Sequence, residues 1–145
     1  MISVTLTPMD VKERKWTRVE YERLVEAEIL GPEDRVELHV CVVPGDPRDY
    51  RDAHPTRPVL VVEVALSRLG FDRDRKGSLY ARAGLADYWI VNLPDRRLEV
   101  YRGPVPDGAA LFGWRYGSAR ALGPDERISP LALPDAAVTV ADLLP

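Results

Sequence analysis

The chain has 145 residues, 46% hydrophobic and 30% charged, with a formal net charge of -3 and a pI near 5.4. That length suits one domain with a proper core, and the composition excludes a disordered tail or a fibrous repeat. The acidic balance argues against a strongly basic nucleic-acid glove but leaves room for a local basic patch.

Residues 1–15 show no clear period and predict an N-terminal arm, with one domain over 16–145. The opening stretch MISVTLTPMDVKERKW lacks the apolar segment of a signal peptide. No apolar run approaches membrane-spanning length. A helix is predicted from Trp16 to the Gly31-Pro32 break. Thr17 can cap it, Glu20 completes a capping box, and Tyr21, Leu24 and Val25 share a face. Arg35 to Val43 alternates and predicts a strand, with Val36, Leu38, Val40 and Val42 on one side and Glu37, His39 and Cys41 on the other. Cys41 is the single cysteine, so no intrachain disulfide can form, which fits a reducing cytoplasm. The stretch PGDPRDYRDAHPTRP reads as a surface loop.

Val59 to Leu66 is a near-continuous apolar run and predicts a strand buried on both faces. Glu63 interrupts it, sharing a face with Val59, Val61 and Ala65. An ionised carboxylate there is costly to bury without a compensating partner. Asp72 to Ala83 predicts a helix stopped at Gly84, with Lys76 and Tyr80 four apart on one face and Gly77 weakening it by up to ~1 kcal/mol. Tyr88 to Leu93 predicts a second apolar strand, and Arg97 to Arg102 its hairpin partner. Gly103 to Gly108 reads as a loop, Leu111 to Tyr116 and Ala136 to Val140 as short strands, and Ile128 to Leu131 and Ala141 to Leu144 as edge packing.

A carboxylate at the end of a central strand, with an amine about a turn into the next helix, suits metal-dependent phosphodiester hydrolysis. Hard oxygens hold Mg²⁺, and the amine orients water or neutralises developing charge. The plain reading of the same residues is a half-exposed or arginine-paired Glu63 and a solvated Lys76. Arg68, Arg73, Arg75 and Arg82 read either as a solvated face paired with Asp72 and Asp74 or as phosphate contacts.

Several stretches carry a family likeness: WTRVEYERLVE with RVEL, then VVEVALS, DRK-x-x-x-YARAG, DYWIVNL, RLEVYR and ISPLALPD with VADLL. In these the chain resembles the Uma-two family of restriction-endonuclease-like proteins, within the PD-(D/E)XK nuclease superfamily. The resemblance implies an α/β fold, a reduced PD-(D/E)XK-type mixed sheet flanked by helices. It implies a DNA endonuclease using Mg²⁺, with Mn²⁺ as the alternative. Glu63 becomes the metal-binding acid and Lys76 the catalytic lysine, migrated onto the helix, while Ala65 stands where the superfamily often keeps that lysine. Glu37 matches an acidic position near the site. Beside such a site Arg73 and Arg75 are the candidate substrate contacts, and Tyr80 reads either as a core or rim aromatic or as a further substrate contact.

One block of the family pattern is missing. RVELHVCVVPGDP passes from one motif to the tail of the next, so Leu38-His39 stands where the family has Pro-Asp. His39 then occupies the slot of a metal-binding aspartate, and imidazole suits softer metals than Mg²⁺. The alternative is a catalytically inactive DNA- or protein-binding module. A shortened sheet exposes edges and apolar surface. A homodimer or domain-swapped assembly is therefore expected, and light scattering that finds a folded monomer at micromolar concentration contradicts it.

Overall fold

The computed structural model describes residues 2–4, 14–16, 38–45 and 57–145. Its contacts form two compact units, Met1–Val40 and Cys41–Pro145. In the first, β1 (Ile2–Val4) pairs antiparallel with β2 (Arg14–Trp16), Ile2 opposite Trp16. These two segments form a two-stranded ribbon. Three-residue strands are too short to show alternation, and pairing satisfies their backbone groups. The helix expected after Trp16 and the position of Glu37 lie outside the described residues.

Five strands make one sheet in the order β3-β4-β5-β6-β7: β3 (Leu38–Val42), β4 (Leu60–Ala65), β5 (Asp87–Asn92), β6 (Arg97–Pro106) and β7 (Trp114–Leu122). β4 and β5 are parallel, and β5-β6 and β6-β7 antiparallel. The sheet is mixed, as expected of an α/β fold of the restriction-endonuclease type. A parallel pair needs a crossover. Here it contains a π-helical turn, Phe71–Lys76, running directly into α1 (Gly77–Arg82).

Side-chain alternation sorts the strands into two packed faces. Val61, Ala65, Tyr88, Ile90 and Tyr116 pack with Ala81 and Leu85 from the helical side. Leu60, Trp89, Val91, Leu98, Val100 and Leu122 form the other cluster with Val140, from the 3-10 turn Val140–Leu143. Leu143 and Leu144 pack against this second cluster, so the closing segment covers one face of the sheet. Asp87 is fully buried at the start of β5. It accepts from Arg102 Nε, Trp89 Nε1 and the Leu131 N–H, each at 2.8 Å. These bonds tie the segment around residue 131 to the sheet.

Two expected boundaries differ. β6 runs on to Pro106 where a loop was expected after Arg102. Proline demotes a strand because it lacks a ladder donor. β5, however, pairs only with Arg97 to Arg102, so Pro104 and Pro106 lie beyond it and pair with β7 alone. β7 spans Trp114–Leu122, not Leu111 to Tyr116. Most of its side chains are exposed, so it carries no apolar alternation to read. The final strand is β9 (Val138–Thr139), paired with β8 (Arg127–Ile128), and is shorter than the expected Ala136 to Val140. No helix among the described residues is long and apolar enough to cross a membrane.

Two glycines in this crossover have opposite constraints. Gly84 sits at φ +76, where L side chains are strained. Gly77 is helical, and a Cβ there would meet the Asp72 carbonyl oxygen at 3.5 Å and Tyr88 Cε1 at 3.9 Å, ordinary contacts. In urea denaturation, Gly84→Ala is expected to destabilise by about 1–2 kcal/mol, and Gly77→Ala to stabilise by up to ~1 kcal/mol. Equal shifts of the same sign would contradict this reading of the crossover.

Candidate functional site

Register places Glu63 on β4 opposite Ile90 on β5, Ile90 opposite Glu99 on β6, and Glu99 opposite Ala121 on β7. Directly paired residues share a face. Two acids therefore stand in one row on the helix-covered side, about 10 Å apart by strand spacing. The helical crossover supplies a cation to each.

Glu63 is 2% exposed. Lys76 Nζ donates to its Oε2 at 3.0 Å, and the Tyr80 hydroxyl donates to its Oε1 at 2.9 Å. The same ammonium lies 3.0 Å from Asp72 Oδ1, one helical step of four residues back. Asp72 is itself buried, and its backbone carbonyl accepts from both the Gly77 N–H and the Tyr88 hydroxyl, the latter at 3.0 Å. Those bonds pin the π-helical turn that presents Asp72 and Lys76. Such turns are rare and concentrate at functional sites.

Burial pushes the Glu63 carboxyl above the usual carboxylate range; Lys76 and Tyr80 pull it down, and Asp72 adds to the rise. For Lys76, burial opposes the ammonium, but Glu63 and Asp72 outweigh it and hold its pKa above the ordinary lysine value. Burial and Glu63 push the Tyr80 hydroxyl up as well, keeping it a proton donor at neutral pH.

The second acid is answered differently. Arg73 grips Glu99 in a two-point pair, Nε to Oε2 at 2.8 Å and Nη2 to Oε1 at 2.5 Å. Tyr101 and Asn92 also donate to Glu99, at 2.6 and 2.8 Å. Burial raises the Glu99 pKa, but these donors outweigh it and bring it below the ordinary value. The two carboxylates in one row are thus pushed in opposite directions.

The structure brings Glu63 and Lys76 together as the sequence suggested, and adds Tyr80 to them. Arg73 is committed to Glu99. Arg75 is exposed and lies over the rings of Phe71 and Phe112. Ala65, at the superfamily's usual lysine position, is buried in the apolar cluster with Ala81, so that packing holds a small side chain. His39 is a half-buried residue of β3 in the first compact unit, while the cluster described here belongs wholly to the second.

Sequence reasoning missed Asp72 by pairing it with surface arginines. The available signal was its position four residues before Lys76, the spacing and order that favour an acid–lysine pair. Glu63 and Asp72 offer two hard carboxylates within reach of one point. Mg²⁺ is commonly held by one or two protein carboxylates, with water and phosphate completing its shell. Two carboxylates match that number, and Glu63 and Asp72 are the residues that would hold such an ion. Among the described residues no group of three or more His, Cys, Asp or Glu is placed to hold a metal.

A family model, Uma2, described as "Putative restriction endonuclease", matches residues 14–141, and the chain belongs to this family. No curated protein matches the sequence.

The pKa directions fix the sign of the pH response. A raised carboxyl such as Glu63 favours folding below its unfolded pKa, and that contribution is lost as pH rises through the folded value. The depressed Glu99 contributes above its unfolded value and loses this as pH falls. Lys76 contributes below the ordinary lysine pKa and loses it as pH rises through the higher folded value. Removing Lys76 leaves two buried carboxylates uncompensated, most severely where they are ionised. Lys76→Met is expected to cost on the order of 3–5 kcal/mol in urea melts at pH 8, and clearly less at pH 5. The same loss at both pH values would contradict a buried pair.

Proposed function

We propose that this chain is a metal-dependent DNA endonuclease whose working groups are Glu63, Lys76 and Asp72. The observation that carries the reading is the buried Glu63 carboxylate with Lys76 Nζ at 3.0 Å, in a chain of a restriction-endonuclease family. Bound at Glu63 and Asp72, Mg²⁺ or Mn²⁺ would polarise the scissile phosphate and make water a better nucleophile. Lys76 orients that water and neutralises charge as the phosphodiester P–O bond breaks. Tyr80 fixes the rotamer of Glu63 by donating to the oxygen that Lys76 leaves free.

A second reading is a catalytically inactive module of the same fold that binds DNA or protein. One observation favours it: Lys76 already spans both carboxylates. The resemblance, which implies His39 in place of an aspartate, points the same way. Association of two copies belongs to either reading and rests on the missing sequence block.

Incubation of plasmid and single-stranded DNA with the protein and Mg²⁺ or Mn²⁺ decides between the two. Wild type is expected to cut, EDTA to stop it, and Glu63→Gln to lower the rate by at least about 100-fold, the scale of losing one key electrostatic group. Cleavage should also weaken on acidification toward the raised Glu63 pKa, because only the ionised carboxylate holds the metal. Equal cutting by wild type and Glu63→Gln would sink the endonuclease reading. DNA retained without cutting by either would establish the module.

A further inference from the structure

Beside the Glu63–Lys76 pair, the crossover carries an aromatic and cationic surface that hydrolysis itself does not need. Phe71 opens the π-helical turn and is 37% exposed. The Arg68 guanidinium lies 5.2 Å from its ring centroid, that of Arg75 5.9 Å, and Lys76 Nζ 5.8 Å. Arg75 also reaches the ring of Phe112, at 5.8 Å. Phe112 is held near α1 because its N–H donates to the buried Ser78 hydroxyl at 2.9 Å, which donates on to the Trp114 carbonyl at 2.7 Å. The surface therefore sits on fixed elements. It begins at the ammonium of the candidate site.

A partly open phenyl ring with guanidinium groups around it matches the chemistry of an unpaired nucleotide. A base would take the place that a guanidinium now holds over the ring, and the cations so displaced would meet the phosphates on either side. We propose that Phe71 is a stacking platform for an unpaired nucleobase next to the scissile phosphate, with Arg68 and Arg75 contacting the adjoining backbone. This rests on reading Glu63 and Lys76 as a nuclease site. A base inside a duplex has both faces covered by its neighbours, so duplex DNA can engage the cations but not the ring. The platform therefore gives the site a preference for single-stranded or frayed DNA.

Fluorescence anisotropy of the full chain in EDTA tests this, using a labelled oligodeoxythymidine and a labelled blunt duplex. Phe71→Leu keeps apolar bulk at the position and removes the π face, while Phe71→Trp keeps that face. Phe71→Leu is expected to weaken single-strand binding by about 5- to 150-fold, the usual worth of one base–aromatic stack. Duplex binding should stay the same, and Phe71→Trp should bind single strands at least as well as wild type. Unchanged single-strand affinity in Phe71→Leu, or an equal loss on both probes, overturns the platform, as does wild-type protein that binds neither probe. Because metal is absent, failure of cleavage leaves a selective Phe71 effect standing, whereas cleavage without that effect removes the platform alone.

Discussion

A carboxylate on a strand covered on both faces must be answered by a cation or it empties its charge. At Glu63 the answer comes from the same chain thirteen residues later, where Lys76 spans Glu63 and Asp72 at 3.0 Å each. Taking three charges out of water costs several kcal/mol per ion before their attraction and hydrogen bonds return it. Such a cluster persists only when its neighbours fix the geometry. Tyr80 fixes one carboxylate, and the Tyr88 hydroxyl and Gly77 N–H fix the turn carrying the other.

The same constraint explains how the crossover lies on the sheet. Arg73 and Lys76 leave one helical segment for two acids on opposite sides of β5, Glu99 and Glu63, with Ile90 between them in the row. Apolar packing of Ala81, Leu85 and Tyr88 supplies non-directional attraction. The two ion pairs supply register, since sliding the helix by one residue would strand both acids. Around this row four tyrosines form a contiguous set: Tyr80 against Tyr88 at 5.0 Å, and Tyr88 against Tyr101 and Tyr116 at 5.7 and 5.9 Å. All four hydroxyls donate to protein oxygens: Tyr80 to Glu63, Tyr88 to the Asp72 carbonyl, Tyr101 to Glu99 and Tyr116 to the Leu85 carbonyl.

The centre of the fold was legible because burial writes itself into pattern. β4 and β5 are apolar runs of strand length, and Gly84 marks the helix end with its positive φ. Glu63 was legible as the one charge in such a run, and Lys76 as the amine the crossover could return to it. The edge was not. β7 is mostly exposed, and β6 continues through prolines where only one neighbour remains, so neither shows periodicity. The π-helical turn has no sequence signature of its own, and Asp72 was hidden among arginines. Pair choice between Arg73 and Lys76 followed from register across three strands, which local spacing does not contain.

The chain belongs to a family of putative restriction endonucleases, and the proposed endonuclease chemistry depends on the Glu63–Lys76 pair. A double-mutant cycle in thermodynamic stability isolates the pair most directly, using Glu63→Gln, Lys76→Met and both together at neutral pH. The account predicts a coupling on the order of 1–3 kcal/mol, as found for residues in one buried polar network. Additive losses, with coupling near zero, would mean that the two side chains do not share a site.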